Sequence, residues 1–238
     1  MTTSVTTVVF DVNETLSDLS VMRGRFTDVG APADLAAVWF ASVLRDGFAL
    51  STCGHQAPFA DIARGVLASS LPTASLDRPV SDAIDHVMEG FMSLEVHPDV
   101  AAGIEALSDA GLRLVTLSNG SAGVADALLT QAGLRDHFEA LLTVEDAGVW
   151  KPAQAAYEFA AHQCGEELSR MVLVAVHPWD LHGARAAGMQ TAWINRTGSP
   201  YPDHFSRPDL EVSGLADLPA AMGARKIARG RPEPNATV

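Results

Sequence analysis

The sequence predicts an α/β fold in which a doubly wound parallel sheet carries an inserted, all-helical cap domain. Short apolar runs alternate along most of the chain with helical patterns that stop at a glycine. These runs lack the polar–apolar alternation of a half-exposed strand, which is typical of parallel strands covered on both faces. One long stretch after the first run, in contrast, offers helical patterns and no convincing strand.

Five runs predict the strands of a Rossmann-like core, because they are short, apolar and rich in β-branched residues. They cover residues 5–10, 112–117, 141–144, 171–176 and 191–194. Four helical patterns lie among these runs, and each is followed by glycine, a common helix stop. They cover residues 100–110, 122–132, 153–164 and 182–187. Strands and helices in this rhythm indicate a doubly wound sheet.

Residues 17–95 predict a cap that closes over the strand ends and excludes water. Its helical patterns cover residues 34–45, 59–69 and 80–92. The catalytic core then consists of residues 1–16 and 96–224. Residues 225–238 are basic, rich in proline and poor in apolar side chains, so we expect a flexible tail there.

Composition limits the class of protein and its partners. The 238 residues are 47% hydrophobic and carry a formal net charge of −13, which predicts a globular core and argues against a nucleic-acid partner. The two cysteines, Cys53 and Cys164, have neither zinc-site nor redox-motif spacing. Because the N-terminus has no secretory pattern and no run is long enough for a membrane span, we expect a cytoplasmic protein without a membrane partner.

Polar side chains follow the predicted strands at the point where each strand ends. Because ligands bind at the carboxyl ends of strands in open α/β sheets, these residues together predict a site. Each has a simpler explanation on its own, since Asp11 could cap a turn, Ser118 could cap a helix and Lys151 could be solvated. The residues are Asp11, Asn13, Thr15, Ser118, Asn119, Lys151, His177 and Asp180.

Four segments resemble the four motifs of the haloacid dehalogenase superfamily, in the right order: FDVNETL, TLSNGS, VWKPAQAAY and HPWDLHGARAAGM. The helical cap, the tyrosine after WKP and the WINR stretch resemble the L-2-haloacid dehalogenases. The resemblance implies that Asp11 is a nucleophile that forms a covalent ester. It also implies that Lys151 keeps Asp11 ionised and that Asp180 positions Lys151 or the hydrolytic water. Thr15 and Ser118 can donate hydrogen bonds to the same carboxylate or to a substrate oxygen.

Two positions separate the sequence from the phosphatases of this superfamily. Phosphatases usually carry a second aspartate two residues after the nucleophile to protonate the leaving group, whereas this chain has Asn13. They also bind Mg²⁺ through paired acids after the fourth strand, where His177 replaces the first acid and imidazole is a poor Mg²⁺ ligand. We therefore expect no metal site and no cofactor. His177 could be a general base for water or a structural, hydrogen-bonded histidine.

The substrate carboxylate is expected to bind Ser118, the Asn119 amide and backbone N–H groups of the turn at Val12 and Asn13. The Tyr157 hydroxyl could reach the site, or the ring could pack in the core. An apolar pocket for alkyl or halide could contain four aromatic side chains, although aromatics at such spacing more often pack in a plain core: Trp39, Phe40, Phe59 and Trp179.

The cap arginine of the L-2-haloacid dehalogenases is expected directly after the cap tryptophan, where this chain has Phe40 after Trp39. Arg45, about one and a half helical turns further on, could replace it. Arg23 and Arg25 are the other candidates in the cap.

The leading hypothesis is hydrolytic dehalogenation of short (S)-2-haloacids to (R)-2-hydroxyacids through an ester on Asp11, with water as the second substrate. The alternatives are a phosphatase acting on a small phosphorylated metabolite and a non-catalytic binding protein with the same fold. The resemblance also implies a homodimer.

Overall fold

The computed structural model describes residues 4–223, which form a six-stranded parallel sheet in the order β3-β2-β1-β4-β5-β6. The doubly wound α/β class is therefore confirmed. The expected tail, residues 225–238, lies outside the described residues. The strands are β1 (Thr7–Phe10), β2 (Arg113–Ser118), β3 (Ala140–Thr143), β4 (Met171–Ala175), β5 (Gln190–Ile194) and β6 (Leu210–Val212).

Helices of the described chain fall into two groups along the sequence. Between β1 and β2 lie α1 (Met22–Thr27), α2 (Leu35–Thr52), α3 (Phe59–Ser70), α4 (Val80–Met92) and α5 (Val100–Asp109). The later helices are α6 (Ala122–Gln131), α7 (Val144–Ala147), α8 (Gln154–Cys164), α9 (Pro178–Ala187) and α10 (Leu218–Ala221). We propose that residues 17–95, which contain α1 to α4, form the cap on the core of residues 1–16 and 96–224.

Most elements lie within one or two residues of their predicted bounds. The predicted bounds differ more from the structure where the sequence pattern covered only part of a helix. Helix α2 continues to Thr52 rather than residue 45, and α9 begins at Pro178 rather than residue 182, because proline is well tolerated at the first helical position. Strand β6 is only three residues long, too short for its pattern to stand out from a loop.

Both faces of the sheet are covered, as the continuous apolar strands require. Val8 and Phe10 of β1 pack in one apolar core, whereas Val9 between them packs in the other. The first core includes Ile104 of α5 and the second includes Ala160 of α8. None of the helices in the described part of the chain has the length and apolar character needed to cross a membrane.

Strand register places the chemically interesting loops at one edge of the sheet. Phe10, the last residue of β1, is level with Thr116 in β2 and Val174 in β4. The residues that follow these three positions along parallel strands therefore emerge side by side. They are Asp11, Ser118 and His177.

Candidate active site

The loop after β1 holds Asp11 in place through backbone and side-chain bonds. The Asp11 N–H donates to the Val174 carbonyl at 3.1 Å, which extends the ladder between β1 and β4 by one residue. Thr15 Oγ1 donates to Asp11 Oδ2 at 2.7 Å and accepts from the Val176 N–H at 3.1 Å. The loop therefore fixes one oxygen of the Asp11 carboxylate.

A buried lysine joins two carboxylates at the centre of the site. Lys151 Nζ lies 2.8 Å from Asp11 Oδ1 and 2.6 Å from Asp180 Oδ2. Lys151 and Asp180 are completely buried, and Asp11 is only 4% exposed. Because unpaired buried charges are strongly unfavourable, the three groups depend on one another, and they carry a net charge of −1 when all are ionised.

Opposing effects set the protonation of these groups. Burial alone would raise the pKa of Asp11, but attraction by Lys151 and His177, with hydrogen bonds from Lys151 and Thr15, lowers it below its usual value. For Asp180 burial prevails, and its pKa is raised. Burial opposes the charge on Lys151, but the two carboxylates raise its pKa. Asp11 is thus an ionised, hydrogen-bonded carboxylate at neutral pH, as a nucleophile requires.

Tyr157, on α8, supports Asp180 from the core. Its hydroxyl donates to Asp180 Oδ1 at 2.7 Å and lies 3.0 Å from the Asp180 carbonyl oxygen. Burial, together with the neighbouring Asp180 charge, raises the pKa of Tyr157 well above its usual value, so the hydroxyl stays protonated and remains a donor. Tyr157 itself is fully buried. Because it contacts Asp180, Tyr157 supports the carboxylate–lysine cluster, which consists of Asp11, Lys151 and Asp180.

The loop after β2 holds the backbone around Lys151. Asn119 Oδ1 accepts from the Lys151 N–H at 3.0 Å, and Asn119 Nδ2 donates to the Lys151 carbonyl at 3.4 Å. Ser118 Oγ accepts from the Gly120 N–H at 2.9 Å. A Cβ atom at Gly120 would lie 3.2 Å from Ser118 Oγ and 3.5 Å from Asn13 Nδ2, so these two polar side chains flank the same glycine. Val12 and Asn13, expected at the substrate, are both buried in the turn next to this loop.

His177 stands on the other side of Asp11 from Lys151. Its Nε2 lies 3.2 Å from the Asn13 carbonyl oxygen, 3.7 Å from Asp11 Oδ2 and 3.6 Å from Glu14 Oε2. Its ring stacks with Trp179, at a centroid distance of 5.1 Å, and with Phe40, at 6.3 Å. The histidine therefore has a fixed ring and a polar edge that faces three oxygen atoms.

A cavity of about 490 Å³ opens beside His177, between α2 and the ends of β4 and β5. Its walls include apolar side chains from the cap and polar groups from the core: Trp39, Phe40, Glu14, His177 and Arg196. Asp11 does not line this cavity, and His177 lies between the two. The cavity therefore ends at His177, on the Oδ2 side of the Asp11 carboxylate.

The predicted aromatic pocket divides into two parts. Phe40 and Trp179 lie against His177, and Phe40 also lines the cavity. Phe59 instead stacks with Phe91 and Trp150 and is 3% exposed, so it packs in the apolar core. Trp39 reaches the cavity wall, but its Nε1 donates to a backbone carbonyl of α3, which fits the simpler explanation of core packing.

The expectation that Arg45 replaces the cap arginine is wrong. Arg45 Nε donates to Asp46 at 2.8 Å, and 70% of the Arg45 side chain is exposed. Arg45 lies on the solvent side of α2, opposite the buried Val43 and Gly47. Arg23 borders the cavity but is paired with Asp34, and the Arg25 side chain packs against the backbone of α4 at Gly90.

Sequence reasoning missed two residues, Arg196 and Glu14, that help to hold the loop after β1 in place. Arg196 pairs with Asp99 at 3.1 Å and donates to the Thr15 carbonyl at 3.0 Å. Glu14 adopts a left-handed backbone conformation with a φ of 62°, and its carbonyl oxygen lies 3.0 Å from His97 Nε2. The WINR stretch at the end of β5 contained the signal for Arg196, but nothing in the pattern indicated which groups Arg196 would bind.

The residues present do not fit a Mg²⁺ site. Within the described chain, no group of three or more His, Cys, Asp or Glu side chains is arranged to hold a metal ion. The space beside Asp11 Oδ2 and the Asn13 carbonyl is taken by the His177 imidazole, and Asp11 Oδ1 is bound by Lys151. Mg²⁺ prefers oxygen ligands, so an imidazole edge between these oxygens does not provide its coordination.

Comparison with known proteins agrees with this geometry. Residues 5–188 match the model of the haloacid dehalogenase-like hydrolases. The (S)-2-haloacid dehalogenase of Pseudomonas sp. strain YL is 31% identical over 87% of this chain and 90% of its own length.

Two solved structures share the fold over nearly the whole chain. A dehalogenase with an intermediate complex is 28% identical, with a TM-score of 0.86 over 92% of this chain and 98% of its own. The L-2-haloacid dehalogenase of Xanthobacter autotrophicus with chloropropionic acid covalently bound is 25% identical, with a TM-score of 0.81 over 91% of this chain and 97% of its own. With the carboxylate–lysine cluster at the strand ends, these matches establish that the chain belongs to the haloacid dehalogenase-like hydrolase family.

Proposed function

We propose that the protein hydrolyses the carbon–halogen bond of short (S)-2-haloacids and releases (R)-2-hydroxyacids. The observation that carries the proposal is the Asp11 carboxylate, with Oδ1 bound to Lys151 Nζ at 2.8 Å and Oδ2 bound to Thr15 at 2.7 Å. Relatives named for this activity, and a related enzyme with chloropropionic acid covalently bound, support the same chemistry here.

In the first half of the proposed reaction, an Asp11 oxygen attacks C2 of the substrate on the face opposite the halogen. The halide leaves with the bonding electrons, and C2 is inverted and bound to Asp11 as an ester. A halide is a weak base and needs no proton, so Asn13 is sufficient where a phosphatase needs an acid. Lys151 holds Asp11 ionised for this attack.

In the second half, water attacks the Cγ carbon of the ester. Negative charge then develops on the Asp11 oxygen that faces Lys151 Nζ, and the ammonium stabilises it at short distance. Asp180 and Tyr157 hold Lys151 in this position through the hydrogen bonds described above. Collapse of the intermediate releases the 2-hydroxyacid and restores the Asp11 carboxylate with one oxygen from water.

A panel of small haloacids tests the proposal. Purified protein is incubated with chloro-, bromo- and fluoroacetate and with both enantiomers of 2-chloropropionate, with and without EDTA, and free halide is measured. Of the two 2-chloropropionate enantiomers, we expect only the (S) form to release chloride, and EDTA should not reduce that release. The Asp11→Asn variant should release no halide. Absence of halide from every substrate would refute the proposal, and Mg²⁺-stimulated release of phosphate from alkyl phosphates would favour the phosphatase instead.

The assembly and location of the protein stay predictions. We propose a homodimer from the resemblance to the L-2-haloacid dehalogenases, and sedimentation velocity on the purified chain tests it through the mass of the main species. The cytoplasmic location can be checked by fractionation of the cells that express the protein.

A further inference from the structure

We propose that His177 is the general acid that protonates the leaving oxygen when the Asp11 ester is hydrolysed, and that Glu14 is its positioning residue. This inference rests on the proposed function, since it assigns the proton in the second half of that reaction. It replaces the general-base role that the sequence left open for His177. Four features of the site carry it.

The first feature is the proton on His177 Nε2. This atom lies 3.2 Å from the Asn13 carbonyl oxygen, which can only accept a hydrogen bond. Nε2 also lies within 4 Å of carboxylate oxygens of Asp11 and Glu14, which are acceptors when ionised. An atom that faces three acceptors carries a hydrogen, so the edge of the ring toward Asp11 is a donor and not a base.

The second feature is the position of that donor. Lys151 occupies the Oδ1 side of Asp11, in the fully buried interior, whereas His177 lies beside Oδ2 and lines the cavity. Oδ2 is therefore the carboxylate oxygen on the side of the cavity, and we expect it to become the ester oxygen bound to C2. The 3.7 Å between Nε2 and Oδ2 exceeds a hydrogen bond by about 0.5 Å, a gap of the kind that often closes when substrate binds.

The third feature is the need for a proton. Halide departs without one, but the oxygen expelled from the tetrahedral intermediate is an alkoxide, which is a strong base. The position that supplies this acid in phosphatases holds Asn13, which cannot supply a proton. His177 is the titratable donor next to Oδ2 in the described site.

The fourth feature is the surroundings of the imidazole. Phe40 and Trp179 stack on the imidazole and carry no charge. The charged groups that face it are Asp11 and Glu14, with Lys151 on the far side of Asp11. The Glu14 side chain is 41% exposed, so it connects the imidazole with solvent.

The proton balance of the step is complete. Water adds its oxygen to Cγ of Asp11, the bond between Cγ and Oδ2 breaks, and Oδ2 leaves on C2 as the hydroxyl of the product. His177 Nε2 gives its proton to Oδ2. One of the two water protons restores His177 by way of Glu14, and the other goes to solvent.

The test compares the wild type with His177→Gln, which is close in size and cannot transfer a proton. The substrate is (S)-2-chloropropionate. Rapid quenching measures chloride per enzyme, and intact-mass spectrometry measures the ester on Asp11. We expect His177→Gln to release about one chloride per site and to accumulate the ester, with hydrolysis slowed by about 10²- to 10⁴-fold. His182→Gln, the same change at an exposed histidine of α9, is the matched control and should turn over like the wild type.

A second variant keeps the test valid if His177→Gln folds poorly. His177→Ala should also accumulate the ester, and added imidazole should restore its hydrolysis, with a rate that rises with the acidity of the imidazolium used. Glu14→Gln should slow hydrolysis of the ester by about 10-fold while the first chloride is released at the wild-type rate, because the carboxylate that positions the imidazole is gone.

The outcomes separate this inference from the proposed function. If His177→Gln turns over within about threefold of the wild type, or if imidazole leaves the His177→Ala ester intact, the inference is wrong while dehalogenation stands. If His177→Gln releases no chloride at all, His177 acts before the ester and the inference is also wrong. If the wild type itself releases no halide, the proposed function fails and takes the inference with it.

Discussion

Replacement of Lys151 with methionine tests how much the site depends on one buried cation. The change keeps the volume of the side chain and leaves Asp11 and Asp180 buried without the ammonium that lies 2.8 and 2.6 Å from them. At an effective dielectric constant of 20, two unit charges 2.8 Å apart attract by about 6 kcal/mol, against which the cost of burying both must be set. Removal of one partner from a buried ion pair typically costs about 3–5 kcal/mol.

We therefore expect Lys151→Met to lower the free energy of unfolding by about 3–5 kcal/mol at pH 8, measured by urea denaturation followed by circular dichroism. The loss should shrink at pH 5. Without Lys151, burial raises the pKa of both carboxylates. Such a group costs stability increasingly as pH rises from its ordinary pKa to its raised folded-state pKa, and in full above that value. In the wild type the sign for Asp11 is opposite, because its lowered pKa gives stability that is lost only as pH falls below its ordinary value.

Arg64→Met provides the matched control for this experiment. Arg64 also binds a carboxylate at 2.8 Å, that of Asp85, but both side chains are at least half exposed. Such surface pairs contribute about 0–1 kcal/mol, so the control should unfold almost like the wild type at both pH values. The reasoning would be refuted if Lys151→Met lowered the free energy of unfolding by less than about 1 kcal/mol at pH 8, or if it lowered it as much at pH 5 as at pH 8.

Two further substitutions test the supports of the site. Tyr157→Phe removes the hydroxyl that donates to Asp180 Oδ1 at 2.7 Å. Thermal denaturation should show that the free energy of unfolding falls by about 1–3 kcal/mol, and halide release should be slower. Unchanged stability would contradict the role of Tyr157 as a support of Asp180. Gly183→Ala would place a Cβ atom 2.6 Å from Pro152 Cβ and 2.7 Å from the Tyr157 hydroxyl, so we expect lower stability and activity. Gly65→Ala, in an open helical position, should instead add about 0.5–1 kcal/mol, and equal effects of the two glycine changes would refute the steric argument.

The grouping of Asp11, Thr15, Lys151 and Asp180 follows from strand order alone. Each of these residues comes after a predicted strand, or in the loop beyond one, and parallel strands deliver their loops to the same edge. The register of β1 with both neighbours then explains why the side chains meet. This part of the site was accessible to sequence reasoning because it depends on local patterns and one topological rule.

Other parts depend on packing that no local pattern specifies. Arg45 was expected at the site because of helical spacing, yet the length and rotation of α2 place it in solvent. Glu14 and Arg196 were missed because their roles depend on a loop after β5 that meets the loop after β1. The direction of the His177 ring likewise results from two aromatic neighbours on different elements.

The central claim is that Asp11 attacks carbon and is itself hydrolysed. Its most direct test is a single turnover in ¹⁸O-labelled water, with enzyme in excess over (S)-2-chloropropionate and mass spectrometry of both product and protein. We predict that the first lactate formed carries unlabelled oxygen on its hydroxyl and that ¹⁸O appears in the peptide that contains Asp11. Labelled hydroxyl in the first product, with no label in that peptide, would mean that water attacks C2 directly and would contradict the account.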